Sequence, residues 1–316
     1  MDPLAVAELL KDATGDAIAE MNAFAAKVLR TRGGRMGSGM GTLLEALWGY
    51  YVNQGLERRG AEVEIAWLIG HQYNDFACVY VGREWDPSTK EGELLRVEAK
   101  SMNVEADESK GHFEQLGGFI GENDLLVVLL WRWERVDESH VCPKVTDTFI
   151  GGAKEIARVR DALHEARGGT FVVAGGCPDG CAVDACPHVG EPLNAAGKRE
   201  RLSGPDSTRP SARVAYAANF GGLVRMLKTN SSRAREALRV IRDQSDEAHA
   251  YITAIHRNFP DEEESQYVLE EWRLVAEELG IAAGGKSRRQ LAREIRDKDP
   301  GYRERLRRLG RHGGAP

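Results

Sequence analysis

Two carboxylates and a lysine stand at the ends of two strand-like segments. Asp75 lies near the start of Asn74-Asp-Phe-Ala-Cys-Val-Tyr-Val81, and Glu98 and Lys100 close Leu94-Leu-Arg-Val-Glu-Ala-Lys100. Side chains alternate across a sheet, so Glu98 and Lys100, two positions apart, share one face. If the two strands pair as a hairpin, Asp75 lies beside Glu98 on that face. Neighbouring carboxylates with open coordination suit one or two Mg²⁺ ions, which demand oxygen ligands and keep waters. A lysine beside them can orient or deprotonate an attacking water, while the ion lowers the pKa of that water and offsets charge on a phosphate. Taken singly, each of these acids reads as a surface carboxylate on a half-exposed strand; their order along the chain is what carries information.

A second group has different chemistry. Gly-Gly-Cys177-Pro-Asp-Gly-Cys181-Ala-Val-Asp-Ala-Cys186-Pro-His188 puts three thiols and an imidazole within twelve residues, and Zn²⁺ takes four such ligands tetrahedrally. Cys-Pro-Asp-Gly-Cys resembles a zinc knuckle, in which a tight turn points both sulfurs inward. With no export signal in the chain, clustered thiols favour metal over disulfides. The same residues also read as a loop of reduced thiols, or as a site to which His140 or Cys142 adds a ligand. Cys78, inside a strand, reads as a small core residue.

The elements that must position these groups follow from periodicity. Residues 1–30 repeat apolar side chains at helical spacing. A glycine-rich basic turn, Arg30 to Gly41, carries Arg30, Arg32 and Arg35, whose guanidinia and neighbouring glycine amides suit a phosphate. A helix is expected over about 42–58, with Thr42 and Glu45 spaced as a capping box. Strands are expected at 62–67, 75–81 and 94–100, a helix at about 109–120, a buried central strand at 124–131, a helix at about 152–166 and a strand at 170–174. This is an α/β layered domain with a mixed sheet. Pro192 to Ser211 has linker composition, and helices follow over 214–228, 232–258, 262–279, 287–297 and 301–309. The expected plan is a domain over 1–175, a Cys/His-rich segment and linker over 176–212, and a mainly helical C-terminal domain over 213–316.

The order helix-Glu45, strand, strand-Asp75, strand-Glu98-x-Lys100, helix, strand resembles the PD-(D/E)XK nuclease superfamily, the restriction-endonuclease-like fold, over about residues 35–175. That resemblance implies a mixed sheet flanked by helices, Mg²⁺ bound by Asp75 and Glu98, catalysis by Lys100, and Glu45 completing the site. Asn74 stands where the name of the motif has proline. It further implies a DNA endonuclease of the type II restriction or phage-defence kind, working on double-stranded DNA as a homodimer. The alternatives are a non-catalytic nucleic-acid-binding protein of the same fold and a repair or junction-resolving nuclease. Some relatives add a Gln or a second acid from the helix after the third strand, which here singles out Gln115 and His112. Glu62, Glu64 and Asp124 compete for the role of Asp75, although Asp124 reads better as the start of a strand.

Charge is uneven. The chain carries −6 overall, yet Lys286 to Arg311 holds eleven Lys/Arg against four Asp/Glu, a net of +7 that leaves −13 on the rest. A basic tail on an acidic body suits a phosphate footprint, and Arg288, Arg289 and Arg293 of an expected helix are its candidate contacts, in an arrangement similar to a helix-turn-helix reader. The longest apolar run, Leu125 to Trp131, falls far short of the roughly 18 residues that span a bilayer. With no signal peptide at the N-terminus, the expected location is the cytoplasm, without membrane association.

Overall fold

A computed structural model describes residues 2–32, 39–68, 74–104, 111–199, 220–224, 226–227, 232–258, 273, 276–284, 286 and 288–299. The chain forms two compact units, Met1–Asn258 and Phe259–Pro316.

The first unit opens with helix α1 (Pro3–Val28). Pro3 takes the first helical position and Asp2 caps it through the Leu4 amide, both preferred at a helix start. Its buried face, Val6, Leu10, Ala13, Ala17, Met21 and Ala25, recurs every three or four residues. Helix α2 (Gly39–Arg58) buries Met40, Leu44, Trp48, Val52 and Leu56 at a spacing of four. The two stripes meet each other and one face of a five-stranded sheet. Trp48 is fully buried; its indole donates to Thr14 Oγ1 at 3.2 Å and its ring meets Phe76 edge-on at 5.4 Å.

The sheet runs in order β1 (Val63–Trp67), β2 (Phe76–Tyr80), β3 (Glu93–Asn103), β4 (Leu125–Arg135) and β5 (Val141–Gly152). Only β3 and β4 are parallel. Strand β4 is buried along Leu125–Trp131, as a central strand covered on both faces should be. Each edge is closed by an asparagine from a helix. Asn53 of α2 accepts from the Ile65 amide and donates to its carbonyl, and Asn22 of α1 does the same to Val145. These side chains replace the missing neighbour strand and blunt edges that otherwise invite pairing with another chain.

Several expectations need correction. The capping box at Thr42 does not form: α2 begins three residues earlier, and Glu45 reaches the sheet instead. The expected helix at 109–120 is, over its described part 111–120, an irregular run with one 3-10 turn at Gly117–Phe119. Gly111, Gly117 and Gly118 weaken a helix there by roughly 1 kcal/mol each, and the carbonyls of Phe113 and Gln115 accept from the buried guanidinium of Arg160. Strand β5 was not expected at all. Its Pro143 and polar Thr146, Asp147 and Thr148 hide the alternation, and a proline is tolerated because β5 is an edge strand.

Helix α3 (Ala153–Ala166) lies where a helix is expected. The strand expected at 170–174 is only β6 (Thr170–Phe171), which pairs with β7 (Pro192–Leu193) inside the expected linker. Residues 232–258 form two helices rather than one, α4 (Ser232–Gln244) and α5 (Asp246–Asn258). Both lie in the first unit: α5 packs on β5, with Tyr251 edge-on to Phe149 at 5.2 Å, and the Arg257 guanidinium pairs with Asp147. Of the helix expected over 214–228, the described residues 220–224 and 226–227 form turns instead, with Gly222 bridged to His112; the helix expected over 262–279 falls largely outside the described residues and that over 301–309 wholly so. The second unit contains helix α6 (Arg288–Lys298), which buries Leu291 and Ile295. Among the described residues no helix is long and apolar enough to cross a membrane.

Candidate active site and metal centre

Strands β2 and β3 pair only as far as Phe76 opposite Val97. Beyond that point β3 continues to Asn103 along β4, and among the described residues the β2-side amides of Ala99 and Ser101 have no strand partner. Two carboxylates take those amides. Asp75 Oδ2 accepts from the Ala99 N–H at 2.9 Å, and Glu45 Oε1 from α2 accepts from the Ser101 N–H at 2.9 Å. Close approach of α2 is possible because Gly41 has no Cβ; one would sit 2.6 Å from Ser101 Oγ.

Leu95, Val97 and Ala99 face the α1–α2 layer, so Glu98 and Lys100 share the opposite face. Glu98 is 5% exposed. Its Oε1 accepts from Lys100 Nζ, and its Oε2 is buried with no hydrogen-bond partner. Lys100 Nζ also lies 3.9 Å from Asp75 Oδ2, so the ammonium sits between the two acids. The structure therefore gathers Glu45, Asp75, Glu98 and Lys100 at the point where the sheet opens.

Electrostatics follow from burial. Desolvation pushes the Glu98 carboxyl up to about 8, against the opposing pull of Lys100 and with a smaller push from Asp75. Glu45 is raised for the same reason, again opposed by Lys100. Burial acts to lower Lys100, but Glu98 and Asp75 outweigh it and the amine holds its proton more tightly than usual. Among the described residues, the three carboxylates do not converge within 4.8 Å as a ligand set.

The competing and auxiliary residues make other contacts. Asp124 accepts from the Arg96 and Gly121 amides, fixing the entry to β4. Glu64 pairs across to Val79 on β1, one strand further out; Glu62 lies just before β1, where its carbonyl accepts from Val81. His112 contacts Glu114 at 3.2 Å and bridges to Gly222, and Gln115 gives its carbonyl to Arg160.

Of the expected phosphate contacts, Arg30 is paired with Asp137 at 3.1 Å beside the turn between β4 and β5. Thr31 bridges to Val141 there, seven strand positions or roughly 23 Å from the Lys100 level at about 3.3 Å per residue. Arg32 is exposed next to it. Arg35 lies outside the described residues. Arg288, Arg289 and Arg293 fall on α6 in the second unit, and their side chains are outside the described residues.

The cysteine segment does gather. The sulfurs of Cys177, Cys181 and Cys186 lie within 4.8 Å of one another, and His188 is within the same distance of Cys177 and Asp179. Cys177 and Cys181 Sγ are 3.6 Å apart. That is far beyond the about 2.05 Å of a disulfide and close to the about 3.8 Å edge of a tetrahedron with sulfurs ~2.3 Å from Zn²⁺. The cluster is thus able to hold a metal such as zinc. His140 and Cys142 are not part of it: His140 is bound to Asp137 at 2.8 Å, and Cys142 is buried in β5.

Two residues beside the cluster escaped the sequence reading. Glu191, 5% exposed, contacts His188 Nδ1 at 3.1 Å, and Arg199 Nη1 donates to Glu191 at 2.6 Å. The His188-x-x-Glu191 spacing was the available signal. Neither a family model, nor a curated protein, nor a solved structure matches the chain.

Proposed function

We propose that the chain is a Mg²⁺-dependent endonuclease of the restriction-endonuclease-like kind, hydrolysing phosphodiester bonds of double-stranded DNA. The carrying observation is the opening of β3 after Val97, where Asp75 and Glu45 take the freed amides beside Glu98 and Lys100. A buried carboxylate oxygen without a donor, Glu98 Oε2, requires a proton or a cation, which fits an oxygen-seeking divalent ion. Asp75 and Glu98 would hold it. When bound, Mg²⁺ supplies a Lewis acid for the phosphoryl oxygen and lowers the pKa of the attacking water. Lys100 holds its proton at Nζ beside the reacting phosphate, where it orients the water and offsets developing charge. Glu45 fixes the Ser101 backbone and adds negative charge that attracts the ion. Water attacks phosphorus in line and releases a proton to solvent, the P–O3′ bond breaks and O3′ takes a proton from solvent, giving a 5′-phosphate and a 3′-hydroxyl. Cutting both strands calls for a homodimer, and reduced Cys78 and Cys142 fit the cytoplasm as its compartment.

Supercoiled plasmid incubated with Mg²⁺ tests the reading. Wild-type protein should nick or linearise it, and Asp75→Ala and Lys100→Ala should each slow the reaction by about 10² to 10³. Equal cleavage by all three proteins overturns the assignment. One observation favours a non-catalytic DNA-binding protein instead: the Lys100 ammonium already occupies the space between Glu98 and Asp75. Binding of the plasmid with no cleavage in any divalent metal would select that alternative.

We also propose that the ion at the cysteine cluster is structural Zn²⁺, held by Cys177, Cys181, Cys186 and His188, with no position left for a substrate. Purified wild-type protein should carry about one zinc per chain, and Cys181→Ser protein should carry none.

A further inference from the structure

We propose that Glu191 and Arg199 form the outer sphere of this zinc centre, fixing His188 so that Nε2 meets the ion; the inference rests on the zinc reading. His188 Nδ1 faces Glu191 Oε1 at 3.1 Å and Arg199 Nη1 at 2.6 Å, so this nitrogen is enclosed by protein and Nε2 is the one left for a metal. Arginine has no acceptor. Without the ion, Nδ1 can accept from Arg199 and carry no proton. With Nε2 bound to a cation, the ring proton must sit on Nδ1, where the Glu191 carboxylate is the acceptor at hand. Metal binding therefore selects the tautomer that Glu191 is placed to receive, the carboxylate–histidine–zinc arrangement that orients a ligand and raises its basicity.

Arg199 joins the two halves of the site. Nη1 holds Glu191 on the histidine side, and Nη2 holds Asp179 inside the Cys177–Cys181 turn. Its side chain and that of Glu191 are each only 7% exposed, so this pair is shielded from water, while Asp179 carries the second pair out to the surface. Little else orders this stretch. Between Val172 and Arg199 the regular structure is one 3-10 turn, Val183–Ala185, and β7, and the buried apolar side chains are Val172 and Leu193 beside Pro192. A segment with so small a core needs a metal or a cross-link to hold it. The centre is thus a clasp closing residues 172–199, with the fastening residue, Arg199, eleven positions beyond the last ligand.

Zinc affinity is measured by competition with a chromophoric chelator on wild-type, Glu191→Gln and Arg199→Gln proteins, alongside the Co²⁺ absorption of each. The expected result is one ion per chain in all three, the same tetrahedral thiolate spectrum, and affinity lowered by about 10- to 100-fold in both variants. Nitrogen-15 spectra of the zinc-loaded wild type should show His188 protonated at Nδ1. Wild-type affinity in both variants, or a metal bound through Nδ1, overturns the outer-sphere assignment while leaving zinc in place. A wild-type protein that binds no ion overturns the zinc reading itself.

Discussion

Glu98 is the residue on which proton and cation compete. Its carboxyl is pushed up to about 8 by burial, so below that pH the metal-free site holds a proton. A group raised in the folded state stabilises the fold fully below its ordinary value of 4.5 and loses that contribution as pH rises through about 8. The thermal midpoint of Mg²⁺-free protein should therefore fall between pH 5 and pH 8.5, and Glu98→Gln, which carries no proton equilibrium, should flatten that fall. An unchanged slope in the variant would assign the pH dependence to another group. Mg²⁺ binding displaces the same proton, so Mg²⁺ affinity measured by calorimetry should rise over this range in the wild type. The types and spacing of Asp75, Glu98 and Lys100 were legible in the sequence. That Glu98 is nearly sealed from water, and that Lys100 bonds to it, depend on neighbours distant along the chain.

At the scale of elements, the site exists because β3 outruns β2 and α2 comes close enough to fill the gap. Gly49 marks that closeness on the helix: a Cβ there would lie 2.7 Å from Phe76 Cε1, in a ring packed between Trp48 and Trp67. Gly49→Ala should cost about 1–3 kcal/mol of stability by overpacking, read from urea unfolding; a variant as stable as the wild type would show that α2 can slide. Asn53→Ala removes both side-chain bonds to the β1 edge and should cost a similar ~1–3 kcal/mol by leaving the Ile65 amide and carbonyl without their partner. Helices α1 and α3, the first three strands and β4 were readable from periodicity. Strand β5 was not, because an edge strand half open to solvent keeps polar residues on one face and admits Pro143. The irregular run at 111–120 does not form the expected helix because its order comes from Arg160, 47 positions after Phe113 and 45 after Gln115.

For the whole molecule, the division falls after Asn258, and the sheet, the carboxylate group and the cysteine cluster all belong to the first unit. A chain ending at Asn258 should keep the main unfolding midpoint of the full chain within ~2 °C, since domains with their own core fold alone. A midpoint lowered by ten degrees or more would show that residues 259–316 complete the core. If the basic tail contributes to DNA binding, the same truncation should weaken plasmid binding and flatten its salt dependence, without changing the metal requirement for cleavage.

Local chemistry was settled by the chain on its own: the amphipathic stripes of α1 and α2, the apolar run of β4, the carboxylate–lysine spacing, and the knuckle of cysteines all follow from periods and distances within a few residues. The meeting of those pieces was decided by tertiary structure. Glu45 finds the Ser101 amide across 56 positions, Asp75 finds Ala99 across 24, and Arg199 reaches back 20 to Asp179. Such contacts depend on where β2 stops pairing and which backbone groups it leaves open, a property of the assembled sheet that no local pattern encodes.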